Sequence, residues 1–240
     1  MPGSRAPPYL RPMTTQTPVA TDRVLRLAAL GLWLLPVYAV LLALGTLTHE
    51  PDHTVDFDAW SRYVTTDRFL VSHIAGSIAG AALGLVGVVS ALVLMLRGPA
   101  ARSALVATAL TILGNVFFLC LFAVAAFAQP AIGRAHLAGR SDGLVLYDDV
   151  YGAPLLGTFA VGALCFVAGA ILFGRALAGT SERLRMPGYG YAIALVLFVV
   201  AGFTVSVAQP VMAAVAAVMA GLVALRLPAA AAEPDAQGTR

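Results

Sequence analysis

Six long apolar stretches, separated by short polar segments, make up most of the 240-residue chain. A helix needs roughly 20 apolar residues to cross about 30 Å of hydrocarbon, and the runs are continuous rather than alternating, unlike barrel strands. The pattern predicts an all-α integral membrane protein, a bundle of six transmembrane helices. The predicted spans are Val24–Thr48, Phe69–Leu96, Ala104–Ala128, Ala153–Gly174, Pro187–Ala208 and Val211–Leu227.

Prolines refine these boundaries, because a proline inside a helix removes one backbone hydrogen bond. Pro36 predicts a kink in the first span, and Pro130 and Pro210, each preceded by Ala-Gln, predict the ends of the third and fifth spans. The sixth span is then short for a full crossing, so a re-entrant segment is the alternative. The region 24–227 is predicted to form a single membrane domain. The segments 1–23 and 228–240 are predicted to be disordered tails.

The composition agrees with a lipid environment. Hydrophobic residues make up 60% of the chain and charged residues 11%, and the mean hydropathy is +0.86. Soluble domains have about 45–50% apolar and about 25% charged residues. Aromatic residues do not interleave with a basic patch, so the expected partner is the lipid bilayer rather than nucleic acid. In outline the chain resembles small multi-pass bacterial membrane proteins.

The distribution of arginine predicts the orientation. All 15 positive side chains are arginines, and only four, Arg62, Arg68, Arg134 and Arg140, lie in the connections that follow the first and third spans. Because short cytoplasmic loops carry an excess of arginine, both termini are expected inside, and those two connections are expected on the outer face of the plasma membrane.

The outer connections would then gather the histidines and most carboxylates. The string His49-Glu50-Pro51-Asp52-His53 matches the H-E-x-x-H zinc motif, but Pro51 opposes the helix which that motif requires. A looser divalent-metal site, zinc for example, that uses His49, His53 and His73 remains an alternative. The main interpretation includes no cofactor.

His73 is the clearest candidate within a span. It lies one turn into the second span and precedes Gly76, Gly80 and Gly84, whose spacing is typical of close helix packing within or between chains. An ionisable residue inside a membrane is a functional candidate, and the alternative is a neutral histidine bonded to a neighbouring helix or to a loop carboxylate.

Four other residues complete the predicted ligand-binding set with His73: Ser77, Asn115, Asp148 and Asp149. Asn115 lies near the middle of the third span, where cross-helix hydrogen bonding is the alternative role. The two aspartates precede the fourth span, and capping of that helix is their alternative role.

The first outer loop is predicted to contain a short interfacial helix. Phe57, Trp60, Tyr63 and Val64 follow helical spacing, and Asp56 is placed as its N-cap. The aromatic side chains are expected at the level of the lipid headgroups.

The sequence contains no phosphate-binding loop, nucleophile elbow or redox cysteine pair. It therefore favours a non-enzymatic membrane protein: a small-ligand-binding, sensing or accessory subunit with an outward-facing polar vestibule. The alternatives are a membrane metalloprotein or metalloenzyme, and a small permease with a path lined by Asn115, Ser77 and Thr158. Other membrane proteins or a second copy of the chain are further partners to consider.

Overall fold

The computed structural model describes residues 18–47 and 50–232. These residues are helical apart from short connections, and they contain no strand. The helices are α1 (Pro18–Gly31), α2 (Leu34–Gly45), α3 (Phe57–Val64), α4 (Asp67–Val71), α5 (Gly80–Met95), α6 (Ala101–Leu137), α7 (Gly143–Val150), α8 (Ala153–Thr180), α9 (Glu182–Thr204) and α10 (Gln209–Ala232). A π-helical segment, Ser72–Ala79, joins α4 to α5 in one continuous rod.

Within the described ranges, six helices are long and apolar enough to span a membrane. This confirms the all-helical, six-helix part of the prediction. Each long helix packs against the next in the chain, and α10 packs back against α2, so the six form a closed ring. The largest core cluster runs through this ring and contains Phe118, Phe166 and Phe173.

Small residues set the distance between neighbouring helices. A Cβ added to Gly76 would lie 3.0 Å from the Cα of Gly45, and one added to Gly114 would lie 2.6 Å from the backbone nitrogen of Phe166. Gly80 and Gly84 lie against Tyr38 of α2. The Gly76, Gly80 and Gly84 face is therefore used for packing inside the chain, where close approach of backbones allows dispersion contacts to hold helices together.

The first long helix is interrupted as Pro36 predicts. α1 ends at Gly31, a turn at residues 32–33 follows, and α2 resumes at Leu34. Pro36 has no N–H to give to the carbonyl of Leu32, so the regular ladder cannot continue through this point. The backbone instead makes a tighter bond from Leu35 to Leu32 at 3.1 Å.

The predicted end of the third span at Pro130 is wrong. α6 continues through Pro130 to Leu137. The added turns pack against α3, since Gly133 lies directly on Val64 and Ile132 joins a buried cluster with Trp60. Tertiary packing thus offsets the hydrogen bond that the proline removes.

The second Gln-Pro pair behaves differently. α9 ends at Thr204, and a short 3-10 turn follows. α10 starts at Gln209, so Pro210 lies in its first turn. Backbone N–H groups in a first turn have no acceptor within the helix, so the proline removes no hydrogen bond there. α10 extends through Pro228 to Ala232, which gives the sixth helix 24 residues, enough for a full crossing. At the other end of the chain, α1 already begins at Pro18.

Candidate functional site

Two connections meet at one end of the bundle, which we call the loop end. There α3 packs against α6, and α7 packs against the same helix from the following connection. We use the name cap for loop 50–56, α3, the α6 turns from Gln129 onward, and α7. The cap covers the loop end with a cluster of aromatic and polar side chains.

Local sequence explains why α3 forms. Asp56 precedes it, and its carboxylate accepts a hydrogen bond from the backbone N–H of Ala59 at 2.8 Å, as the N-cap prediction requires. Trp60 and Val64 are fully buried, one turn apart. The Trp60 ring packs inside the cap against protein, and the placement of the α3 aromatic side chains at the level of the lipid headgroups stays a prediction.

A carboxyl and an indole form a partly buried hydrogen bond in the cap. The indole N–H of Trp60 donates to a carboxylate oxygen of Glu50 at 2.6 Å. Burial raises the pKa of Glu50, and the hydrogen bond from Trp60 opposes this rise by stabilising the charged form. Glu50 thereby ties the loop to α3 through a bond whose strength depends on protonation.

Packed aromatic rings link this contact to α7. The imidazole of His53 lies 4.1 Å from the ring of Tyr147, measured between centroids, and Tyr147 stacks on Tyr151 at 4.6 Å. Burial, with the nearby carboxylates of Glu50, Asp148 and Asp52, raises the pKa of Tyr147 to about 12. Burial raises the pKa of Tyr151 as well, so both tyrosines are neutral at physiological pH.

Further polar contacts fasten α6 within the cap. The amide of Gln129 donates to the Tyr151 hydroxyl at 2.6 Å, and Nε2 of His136 donates to Asp58 at 2.5 Å. The bond from His136 is the main reason that the pKa of Asp58 is lowered.

Two buried oxygens in the cap remain without a partner. The Gln129 Oε1 and the Ser61 hydroxyl find no hydrogen-bond partner among the described residues. Because an unpaired buried polar group costs about 1–3 kcal/mol, these atoms mark places where a ligand or water would be stabilised.

The residues of the predicted ligand-binding set lie in different places. His73 sits in the π-helical segment, with Nδ1 at 3.0 Å from the Phe69 carbonyl oxygen, so its polar contact is within its own helix. Ser77 is half-buried in the same segment. Asp148 and Asp149 are exposed on α7. Their alternative capping role is wrong, since Gly152 is the N-cap of α8 and no described side chain bonds there.

Asn115 is buried in the centre of the bundle. Its amide donates to the Thr111 carbonyl at 2.8 Å, and both residues line a cavity of about 10 Å³ with Tyr38 and Tyr191. That volume holds about one water molecule. Ser77 and Thr158, the other residues of the predicted permease path, do not belong to this cavity's lining.

Within the described part of the chain, the predicted metal ligands do not lie together. His49 lies outside the described residues. His53 packs against Tyr147, whereas His73 packs against Phe69. Within residues 18–47 and 50–232, no three His, Cys, Asp or Glu side chains form a group that could hold a metal ion. Residues 50–53 are also not helical, because Asp52 accepts from the backbone and hydroxyl of Thr54 instead.

Sequence reasoning missed most of the cap. In the sequence, Glu50 stands out only as part of the H-E-x-x-H string, and Gln129 only as the neighbour of a proline that predicts a helix end. One usable signal existed in α3, where Phe57, Trp60 and Val64 form an apolar stripe too pronounced for a solvent-exposed loop. The partners of that stripe on α6 and α7 come from distant sequence positions.

No family model matches this chain, and neither a curated protein nor a solved structure matches it. The functional argument therefore rests on the chain's own geometry.

Proposed function

We propose that this chain is a non-enzymatic, multi-pass plasma-membrane protein that binds a small ligand or senses a signal through the cap, which faces out of the cell. The orientation follows from arginine: Arg62, Arg68, Arg134 and Arg140 lie at the loop end, and the other arginines of the described residues lie at the opposite end.

One observation carries the proposal, namely the partly buried Glu50–Trp60 bond at the junction of the loop, α3 and α7. The indole of Trp60 on α3 donates to Glu50, and Tyr147 and Tyr151 of α7 lie near enough to feel its charge. His53 of the same loop packs against Trp60 and Tyr147. Protonation of Glu50 removes a negative charge inside this packed cluster and weakens the hydrogen bond from Trp60. A ligand that competes for the indole N–H weakens the same bond. Either event therefore changes how firmly the loop is attached to α3.

The proton is therefore the first signal to test. The protein is purified and reconstituted in lipid nanodiscs with Trp33→Phe, so that Trp60 is the remaining tryptophan. We expect Trp60 emission to change as the pH falls from about 8 to about 4, because Glu50 becomes neutral and its bond from the indole weakens. Glu50→Gln in the same background is expected to remove most of this change.

The pH dependence of thermal unfolding is an independent test, and the pKa shift of Glu50 determines the direction of the expected change. The pKa of Glu50 is higher in the folded protein than in the unfolded one. Its contribution to stability is then fully present below the unfolded pKa and is lost as the pH rises through the folded pKa. Thermal unfolding monitored by Trp60 should occur at a higher temperature in mild acid than at neutral pH, and Glu50→Gln should reduce this difference. Emission and unfolding that do not depend on pH, or that depend on it equally in the variant, would contradict the proposal.

The metalloprotein and permease alternatives have weaker support. The described side chains supply no three-ligand group, and the central cavity is lined by Asn115 without Ser77 or Thr158. Elemental analysis of the purified protein for zinc, iron, copper and manganese tests the metalloprotein alternative. Near-stoichiometric metal that is lost with His53→Ala or His73→Ala would favour it over the sensing function.

A further inference from the structure

A groove of about 270 Å³ lies beside the cap, between the α3–α4 junction and α6. One wall comes from the junction and the first turns of the second span, and the other from the α6 turns around Pro130. The residues that line it are Val64, Thr65, Thr66, Asp67, Leu70, Ile74, Ala126, Phe127, Pro130 and Arg134. The groove exists because α6 continues past Pro130, which places a charged turn above an apolar one.

Polarity changes along the groove in one direction. Arg134 lies seven residues after Phe127 on α6, which corresponds to about 10 Å along the helix. The opposite wall repeats this order, with Asp67 at the charged end and Ile74 at the apolar end. Phe127 is 60% exposed and Ile74 is 40% exposed, so the apolar end is open to whatever surrounds the helices. A phospholipid has the same sequence of charge followed by hydrocarbon.

Two opposite charges face the groove without neutralising each other. Within residues 18–47 and 50–232, neither Arg134 nor Asp67 takes part in an ion pair, although both line the same groove. A nearby exposed pair, Arg140 and Asp142, does close to 2.6 Å. The groove therefore offers a cation and an anion that are separated by space, which is complementary to a zwitterionic headgroup.

The two threonine hydroxyls that line the groove can only accept further hydrogen bonds. The Thr66 hydroxyl donates to the Tyr63 carbonyl at 2.7 Å, and the Thr65 hydroxyl donates to the Ser61 carbonyl at 2.9 Å. Thr66 also accepts from the backbone N–H of Phe69 at 3.2 Å. Each hydroxyl proton is already used, so Thr65 and the second lone pair of Thr66 still offer acceptor capacity. Acceptors beside the Asp67 carboxylate suit an ammonium group with N–H donors.

We propose that this groove binds one phospholipid whose headgroup carries a phosphate and a primary ammonium, as in phosphatidylethanolamine. Arg134 holds the phosphate through its forked guanidinium, and Asp67, with Thr65 and Thr66, accepts from the ammonium. One acyl chain lies against Leu70, Ile74 and Phe127. Phosphatidylcholine lacks the N–H donors, and phosphatidylglycerol brings no positive charge to Asp67, so both bind more weakly. This site is separate from the Glu50–Trp60 contact and does not depend on the proposed function.

The test is lipid retention measured by native mass spectrometry. The detergent-purified full chain is titrated with phosphatidylethanolamine, phosphatidylcholine and phosphatidylglycerol of identical acyl chains. We expect one phosphatidylethanolamine to be retained about tenfold more strongly than either other lipid, the effect of one charge-assisted hydrogen bond. Arg134→Gln should weaken retention of all three lipids, because all share the phosphate. Asp67→Asn should remove only the preference for phosphatidylethanolamine.

Arg140→Gln is the matched control, since Arg140 lies at the same end of the molecule but outside the groove. It should leave retention unchanged. The changed side chains are exposed, so the variants should fold, and thermal unfolding checks this. The proposal is overturned if the unmodified chain shows no preference for phosphatidylethanolamine. Equal effects of Arg134→Gln and Arg140→Gln would overturn it as well, because general surface charge would then explain the retention.

Discussion

Glycine residues determine how closely the long helices of this chain approach one another. At Gly76 the nearest atoms to an added methyl group belong to the backbone of α2, the Cα of Gly45 at 3.0 Å and the carbonyl oxygen of Leu41 at 3.1 Å. Backbone atoms cannot rotate away as a side chain can, so the two helices would have to separate. Gly157, in contrast, has open space around it.

Replacing Gly76 with alanine should therefore destabilise the bundle by about 1–3 kcal/mol, the usual cost of overpacking. Gly157→Ala is the control and should leave stability unchanged or slightly raised, because it removes backbone freedom from the unfolded chain without a clash. Reversible unfolding in mixed micelles measures both variants. If the two variants were equally stable, the backbones of the two helices at Gly76 would have to lie farther apart than they do in the structure.

At the level of helices, the dipeptide Gln-Pro occurs twice, once inside a continuous helix and once at the start of a new one. Pro210 lies in the first turn of α10, where no internal hydrogen bond is lost, and Pro130 lies inside α6. Local sequence favours a break at both. Contacts of the later α6 turns, such as that of Gly133 with Val64 and Ser61, explain why α6 continues, and they join helices far apart in sequence.

This contrast shows what the sequence alone can predict. Continuous apolar runs are a local signal, so the six long helices and the N-cap at Asp56 follow directly. The cap depends on pairs such as Glu50 with Trp60 and Gln129 with Tyr151, and nothing in their local sequence identifies either partner. The predicted ligand-binding residues share chemistry, but the fold separates His73, Asn115 and Asp148.

Gly133→Leu should release α3 while leaving the long helices intact. An added Cβ would lie 2.8 Å from a Val64 methyl group and 3.0 Å from the Ser61 carbonyl oxygen, so a leucine forces α3 away from α6. Hydrogen exchange should then increase across Phe57–Val64, and Trp60 emission should shift to the red as the indole meets water. Helix content should stay the same.

Ala131→Leu is the control for this change, because Ala131 is exposed on the same part of α6. It should not alter exchange in α3. If both variants leave α3 protected, the extension of α6 beyond Pro130 does not hold the cap, and another contact must do so.

For the whole molecule, the side of the membrane that the cap faces decides which signals can reach it. The arginine distribution favours the proposed orientation, with the loop end outside. Cysteine labelling tests this in a Cys120→Ser, Cys165→Ser background, which removes both natural thiols. Ser141→Cys reports on the loop end and Gly179→Cys on the opposite end, at exposed positions.

In intact cells, a membrane-impermeant maleimide should label the Ser141→Cys variant at once and the Gly179→Cys variant only after permeabilisation. The Gly179 position is suited to the comparison because a Cβ there meets no atom within 4 Å, so a cysteine fits without strain. The reverse labelling pattern would place Glu50 and His53 in the cytoplasm, where pH is buffered. The cap would then respond to an internal ligand rather than to external acid, although its contacts would be unchanged.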